Sequence, residues 1–166
     1  MVLYGPKAAG KSQIAEALYQ TYGVRQLDAD EIVLDLLSHG SQPDPLDGWL
    51  IPVERAVMAA LRDNVAVSIE ATGAWDSDWQ LAQDLHASGV RVLRVWVCAP
   101  LEMTLDRLAR RVSRKVPTTQ EEARSIYTTA CARARNQTFD LTLDTGVLRR
   151  DQIPDALAPL ASSLTQ

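Results

Sequence analysis

The stretch Gly5-Pro6-Lys7-Ala8-Ala9-Gly10-Lys11-Ser12 fits the pattern G-x-x-x-x-G-K-[ST], and the reading of the whole chain turns on it. Apolar Val2-Leu3-Tyr4 precedes it and a 3.6-period stretch from about Lys11 to Tyr22 follows, so the pattern sits at a strand-to-helix turn. Glycines let successive backbone N–H groups turn inward on a polyphosphate, and the helix N-terminus adds partial positive charge. Lys11 then reaches the β- and γ-phosphates, and the Ser12 hydroxyl suits Mg²⁺, a hard cation that takes oxygen ligands. Gly5, Pro6, Lys7, Ala8, Ala9, Gly10, Lys11 and Ser12 are therefore the expected phosphate-binding set, with Lys7 facing either phosphate or solvent.

Downstream, short runs rich in β-branched residues alternate with longer helical periods. Val24–Leu27, Val65–Ile69, Val90–Val97 and Leu141–Leu143 read as further strands. Ile32–Leu37, Ile51–Arg62, Ser77–Ser88 and Leu101–Arg111 read as helices, with a loop at Pro43, Pro45 and Gly48. Thr119-Gln-Glu-Glu122 is a capping-box pattern for a helix to about Asn136, and Ile153–Leu164 forms a closing amphipathic helix interrupted or frayed by Pro159. The architecture expected is α/β, a three-layer doubly wound sandwich on a five-stranded parallel sheet, in one domain over residues 1–166.

Composition narrows the partners. Lysine and arginine total 17 against 21 acidic residues in 166, a formal net charge of -4, so there is no general pull toward nucleic acid or anionic lipid. Positive charge must act locally: only Lys7, Lys11 and Lys115 are lysines, and two of them lie in the phosphate-loop pattern. No window reaches the roughly 20 apolar residues that span a bilayer and no leader pattern opens the chain, so a cytoplasmic protein, a monomer or weak homodimer, is expected. Cys98 and Cys131 read as buried free thiols; His39 and His86 stand alone and read as solvated or satisfied.

The chain has no Asn-Lys-x-Asp run of the kind a guanine-reading GTPase needs, although Glu70-Ala-Thr-Gly73 superficially resembles a D-x-x-G switch. Its length leaves little room for the additional sensing elements of an ATPase motor. Phosphoryl transfer, by contrast, needs alignment and charge neutralisation, so an acceptor-orienting carboxylate and mobile arginines are sought. Asp28 and Asp30 follow the second strand two residues apart and point the same way from an extended backbone; either also serves to cap the next helix. Glu70 ends an apolar strand, where a carboxylate requires a ligand or a partner such as an arginine. Arg107, Arg110, Arg111 and Arg114 fall on one helical face, either solvated or turned to phosphate.

In these stretches, together with Val95-Trp-Val-Cys-Ala-Pro100 and Phe139-Asp-Leu-Thr-Leu-Asp-Thr-Gly146, the chain resembles the small P-loop kinases, the group of shikimate, gluconate, nucleoside and nucleotide kinases. The resemblance covers nearly the whole chain and implies a sheet of order 2-3-1-4-5, a lid at about residues 111–120, and use of ATP and Mg²⁺. It implies Mg²⁺ binding by Asp28 and acceptor orientation by Asp30. Related kinases often carry Asp-Ala-Thr where this chain has Glu70-Ala-Thr, so Glu70 serves either the Mg²⁺ shell through water or the acceptor in place of Asp30. It also implies that Arg111 and Arg114 act from the lid on nucleotide and transferring phosphoryl group. Thr145 lies where a loop wraps adenine, or where a simple strand-to-helix turn stands.

From Gln26 to Glu54 there is no lysine or arginine, while Asp28, Asp30, Glu31, Asp35, Asp44, Asp47 and Glu54 are acidic. If this region forms the acceptor site, a small neutral or cationic hydroxyl compound suits it, with Trp49 or Trp75 as an apolar wall or as core. Arg55 keeps an anionic acceptor such as a nucleoside monophosphate in view. The contrasting reading is a regulatory nucleotide-binding ATPase or switch with no small-molecule acceptor.

Overall fold

Three apolar residues form the centre of the sheet. Strand β1 (Val2–Tyr4) pairs in parallel with β3 (Val67–Ala71) on one side and β4 (Arg94–Cys98) on the other. A strand hydrogen-bonded on both edges, with a helical layer on each face, has no room for polar side chains, which is why it reads Val-Leu-Tyr without alternation. The edge strands β2 (Arg25–Leu27) and β5 (Leu141–Asp144) complete the order β2-β3-β1-β4-β5. This is the expected five-stranded parallel sheet in the expected order. The computed structural model describes residues 1–42, 50–110 and 118–164.

Alternate side chains of β1 feed two cores. Val2 and Tyr4 pack with Ile69, Trp96 and residues of helices α3 (Leu50–Asp63), α4 (Asp76–Ala87) and α6 (Gln120–Ala134). Leu3 packs on the opposite face with Ile14, Ala15 and Leu18 of α1 (Lys11–Tyr22) and with the C-terminal helical turns. Helix α2 (Ala29–Ser38) follows β2, and α5 (Leu101–Ala109) follows β4. The expected capping box opens α6: Thr119 accepts from the Glu122 N–H at 3.2 Å and Glu122 accepts from the Thr119 N–H at 2.7 Å. The hydrogen bonds from the Thr119 backbone and hydroxyl hold the Glu122 carboxyl below its ordinary range.

Several boundaries differ from the sequence reading. The third strand begins at Val67 because Val65, apolar but 85% exposed, precedes the register with β1 and β2. The fourth begins at Arg94, whose partner is Val2; Val90 and Val92 are apolar because they pack against the core from outside the ladder. The last helix is divided into α7 (Ile153–Leu157), a 3₁₀ turn (Ala158–Leu160) and α8 (Ala161–Leu164), since Pro159 has no N–H to donate. Its buried face, Ile153, Leu157, Leu160 and Leu164, survives the division. Cys98 and Cys131 are free but half-buried rather than fully buried, and burial pushes both thiols above their ordinary pKa.

The Tyr4 and Trp79 rings stack at 4.4 Å between centroids, with Phe139 against both and against Trp96. The Tyr4 hydroxyl donates to the Asp78 carbonyl at 3.1 Å, and the Trp79 indole donates to the Gly73 carbonyl at 3.1 Å. Burial raises the Tyr4 phenol far above its ordinary pKa, so it stays a neutral donor. Because Trp79 is only 8% exposed and loses both packing and a hydrogen bond on truncation, Trp79→Ala is expected to cost about 3–5 kcal/mol by urea unfolding. A loss under about 1 kcal/mol contradicts this account of the core.

Candidate active site

The phosphate-loop pattern occupies the turn between β1 and α1. Gly5 is required by crowding: a Cβ there would stand 2.0 Å from the Val97 carbonyl oxygen on β4. The Gly5 N–H donates to the Ala71 carbonyl at 3.1 Å, joining the loop to the end of β3. Ala8 takes φ 61° and Gly10 φ 98°, the left-handed conformations that turn the chain into the helix. Lys11 is the first residue of α1, 7% exposed, and its ammonium donates to the Gly5 carbonyl at 2.6 Å and the Pro6 carbonyl at 2.9 Å. The amine is thereby held across the mouth of its own loop. The first turn of α1 carries no acidic residue, so nothing there offsets the positive end of the helix.

The acidic candidates come from the two strands on the other side of the loop. Glu70 is the penultimate residue of β3 and stands in register with Leu3, on the α1 face of the sheet. The Gln26 side-chain amide on β2 donates to Glu70 Oε1 at 3.1 Å. A side-chain amide is thus one partner of Glu70, and Gln26 is a residue that the sequence reading missed. Two positions beyond Gln26, Asp28 caps α2, its Oδ1 accepting the Asp30 N–H at 2.9 Å. That bond turns the chain into a helix at Ala29, so Asp30 stands in the first turn of α2 and the expected extended Asp-x-Asp spacing is not formed.

A third component follows β3. One carboxylate oxygen, Asp78 Oδ2, accepts from the Thr72 hydroxyl at 2.6 Å, the Gly73 N–H at 2.8 Å and the Trp75 N–H at 3.4 Å. These bonds hold Thr72–Trp75 in a fixed turn and leave the Trp75 side chain 56% exposed at its end. The signal for this was present in the sequence: Asp78 stands three residues after Trp75, at the capping-box position of the next helix.

On the far side of the loop, Thr145 is 6% exposed and its hydroxyl donates to the Ala9 carbonyl at 2.6 Å. Arg107 of α5 donates to the Thr145 hydroxyl and carbonyl, both at 2.9 Å. Of the arginine face read as either solvated or turned to phosphate, Arg107 is thus engaged with Thr145, while Arg110, 78% exposed in its side chain, is solvated in an ion pair with Asp106 at 2.9 Å. Helix α5 ends at Ala109, with Arg110 as its cap. Arg111, Arg114, Lys115 and most of the expected lid lie outside the described residues, as does Trp49. At the end of that segment, Lys7 donates to the Thr118 hydroxyl at 2.5 Å.

The family described as AAA domain matches residues 1–130. The chain belongs to the AAA domain family. This P-loop chain is 25% identical to a cytidylate kinase of Haloquadratum walsbyi over 95% of its own length and 86% of that protein's. Among solved structures it is similar to a sugar kinase from Janibacter, with TM-score 0.63 and 20% identity over 99% of this chain and 97% of that one. A shikimate kinase from Acinetobacter baumannii matches with TM-score 0.59 and 19% identity over 99% and 94% of the two chains. The AAA domain chain thus has the fold of the small P-loop kinases. No helix among its described residues is long and apolar enough to cross a membrane.

The Asp78 cluster yields a measurable consequence within this P-loop chain. Asp78→Ala leaves the Thr72 hydroxyl and two backbone N–H groups without that acceptor, and is expected to lower stability by about 1–3 kcal/mol. Chemical denaturation measures this directly. Amide exchange at Gly73 and Trp75 should accelerate before the rest of the sheet opens, and unchanged protection there contradicts the assignment.

Proposed function

We propose that the chain is an ATP-dependent phosphotransferase that moves the γ-phosphoryl group to a small hydroxyl-bearing acceptor with Mg²⁺. The observation that carries the reading is the Lys11 ammonium held over the phosphate loop, with Glu70 on the adjoining strand at the same end of the sheet. The residues fit a nucleoside triphosphate: the loop from Gly5 to Gly10 has the left-handed turns that a backbone cradle needs, and α1 begins without an opposing acid. Ser12 and Asp28 are the proposed Mg²⁺ ligands, and the ion supplies charge neutralisation on the phosphates.

In this reading, Lys11 stabilises charge on the transferring group, and Asp30 or Glu70 orients the acceptor hydroxyl and takes its proton. Gln26 favours Glu70 for orienting the acceptor, because an amide donor at 3.1 Å fixes the carboxylate's rotation. Arg111 and Arg114 are proposed to close on the phosphates. The absence of lysine and arginine from Gln26 to Glu54 favours a neutral or cationic acceptor such as a sugar, nucleoside or amino alcohol. The likeness to a cytidylate kinase favours instead a nucleoside monophosphate, for which Arg55 on α3 is the candidate cation. The AAA domain match supports the remaining reading, ATP hydrolysis without an acceptor.

These three readings separate in one assay of ADP release from MgATP against sugars, nucleosides, amino alcohols, shikimate and nucleoside monophosphates. The expected result is strong stimulation by an acceptor lacking phosphate and carboxylate. Stimulation by monophosphates alone selects the nucleotide kinase, and indifference to every acceptor selects the regulatory ATPase. Lys11→Ala is expected to lower kcat by about 10²–10³-fold with the fold retained, and full activity in that variant removes the phosphate-loop assignment. Glu70→Gln is expected to lower kcat by about 10²–10⁴-fold with ATP affinity preserved; a wild-type kcat transfers the acceptor role to Asp30.

A further inference from the structure

Thr145 was singled out as a nucleotide contact, yet its polar atoms are engaged within the protein. Its N–H donates to the Cys98 carbonyl at 2.8 Å, its carbonyl accepts from Arg107, and its hydroxyl accepts from Arg107 while donating to Ala9. The hydroxyl also lies 3.3 Å from the Cys98 carbonyl. A Cβ on Gly10 would stand 3.0 Å from both the methyl and the hydroxyl of Thr145, so the threonine also sets how closely the loop approaches. Three segments distant in sequence, the phosphate loop, helix α5 and the exit of β5, therefore meet on one side chain.

We propose that Thr145 and Arg107 are positioning residues that hold the phosphate loop in the register needed to receive a polyphosphate, and that they do not read the base. The inference rests on the proposal that Gly5–Ser12 binds a nucleoside triphosphate. Its physical basis is the backbone itself. Phosphate binding by a loop depends on several N–H groups converging at once, and a peptide anchored through its carbonyl cannot rotate its N–H away. The Thr145 hydroxyl anchors the Ala9 carbonyl, which belongs to the peptide that carries the Gly10 N–H. The two-pronged Arg107 guanidinium fixes Thr145 in turn, a geometry that lysine cannot reproduce.

Equilibrium binding of three probes tests this: MgATP, inorganic tripolyphosphate and adenosine, each on wild type, Thr145→Val, Thr145→Ser and Arg107→Lys. For Thr145→Val, affinity for MgATP and tripolyphosphate is expected to fall by the same factor, roughly tenfold, while adenosine binding stays at the wild-type value. Thr145→Ser keeps the hydroxyl and restores most of the loss. Arg107→Lys reproduces the Thr145→Val pattern more weakly, and decides the matter should the valine variant fail to fold. Loss of adenosine and MgATP binding with tripolyphosphate unchanged overturns the proposal in favour of a base contact. Equal loss of all three probes, or wild-type binding of all three, overturns it as well. A wild-type protein that binds neither MgATP nor tripolyphosphate removes the nucleotide reading itself, a result distinct from any difference among the variants.

Discussion

The close approach of the phosphate loop to strand β4 is the constraint on which the rest depends. With a Cβ at Gly5 only 2.0 Å from the Val97 carbonyl, the chain leaves β1 along a path open to glycine alone. That path delivers Lys11 to the first turn of α1 and brings the Gly5 N–H to the end of β3. A side chain at this point would push the loop off the sheet and displace the start of α1, where Lys11 stands. Close packing is therefore what allows a short turn to act as a rigid receptor for charge.

Around this turn the sheet order distributes the chemistry. Because β3 rather than β2 lies beside β1, Glu70 comes to the loop's edge from a residue 65 positions after Gly5, and Asp28 stands one strand further out. On the other side, β4 and β5 bring Val97 and Thr145 against the loop. Ligands of open parallel sheets gather beyond the carboxyl ends of the strands, and here that end carries the phosphate loop, three carboxylates and a turn held by Asp78. Asp28 and Asp30 at the start of α2 and Lys11 at the start of α1 thus give this end of the sheet charges of opposite sign.

Much of this was legible without coordinates. A motif with fixed spacing, strands written as continuous apolar runs, and Thr119 and Glu122 at capping-box spacing are local signals, so they appear in the order of the residues. Boundaries were less legible, and the reason is specific. Val65, Val90 and Val92 are as apolar as true strand residues, but a strand ends where its neighbour stops offering hydrogen bonds. At Asp28 the cap is formed, its carboxylate satisfying an otherwise orphaned N–H of α2, and this places Asp30 in the helix and not on an extended backbone.

By itself the sequence determined the class of fold, the phosphate loop with Lys11 and Ser12, and the acidic residues flanking it, because each depends on residue type and short-range spacing. Only the tertiary structure decided that Gln26 holds Glu70 and that Arg107 turns to Thr145 behind the phosphate loop. Each of those contacts joins segments whose meeting depends on strand order or on the path of a turn. A side chain's partner across the sheet is set by where its strand lies, and no local pattern carries that position.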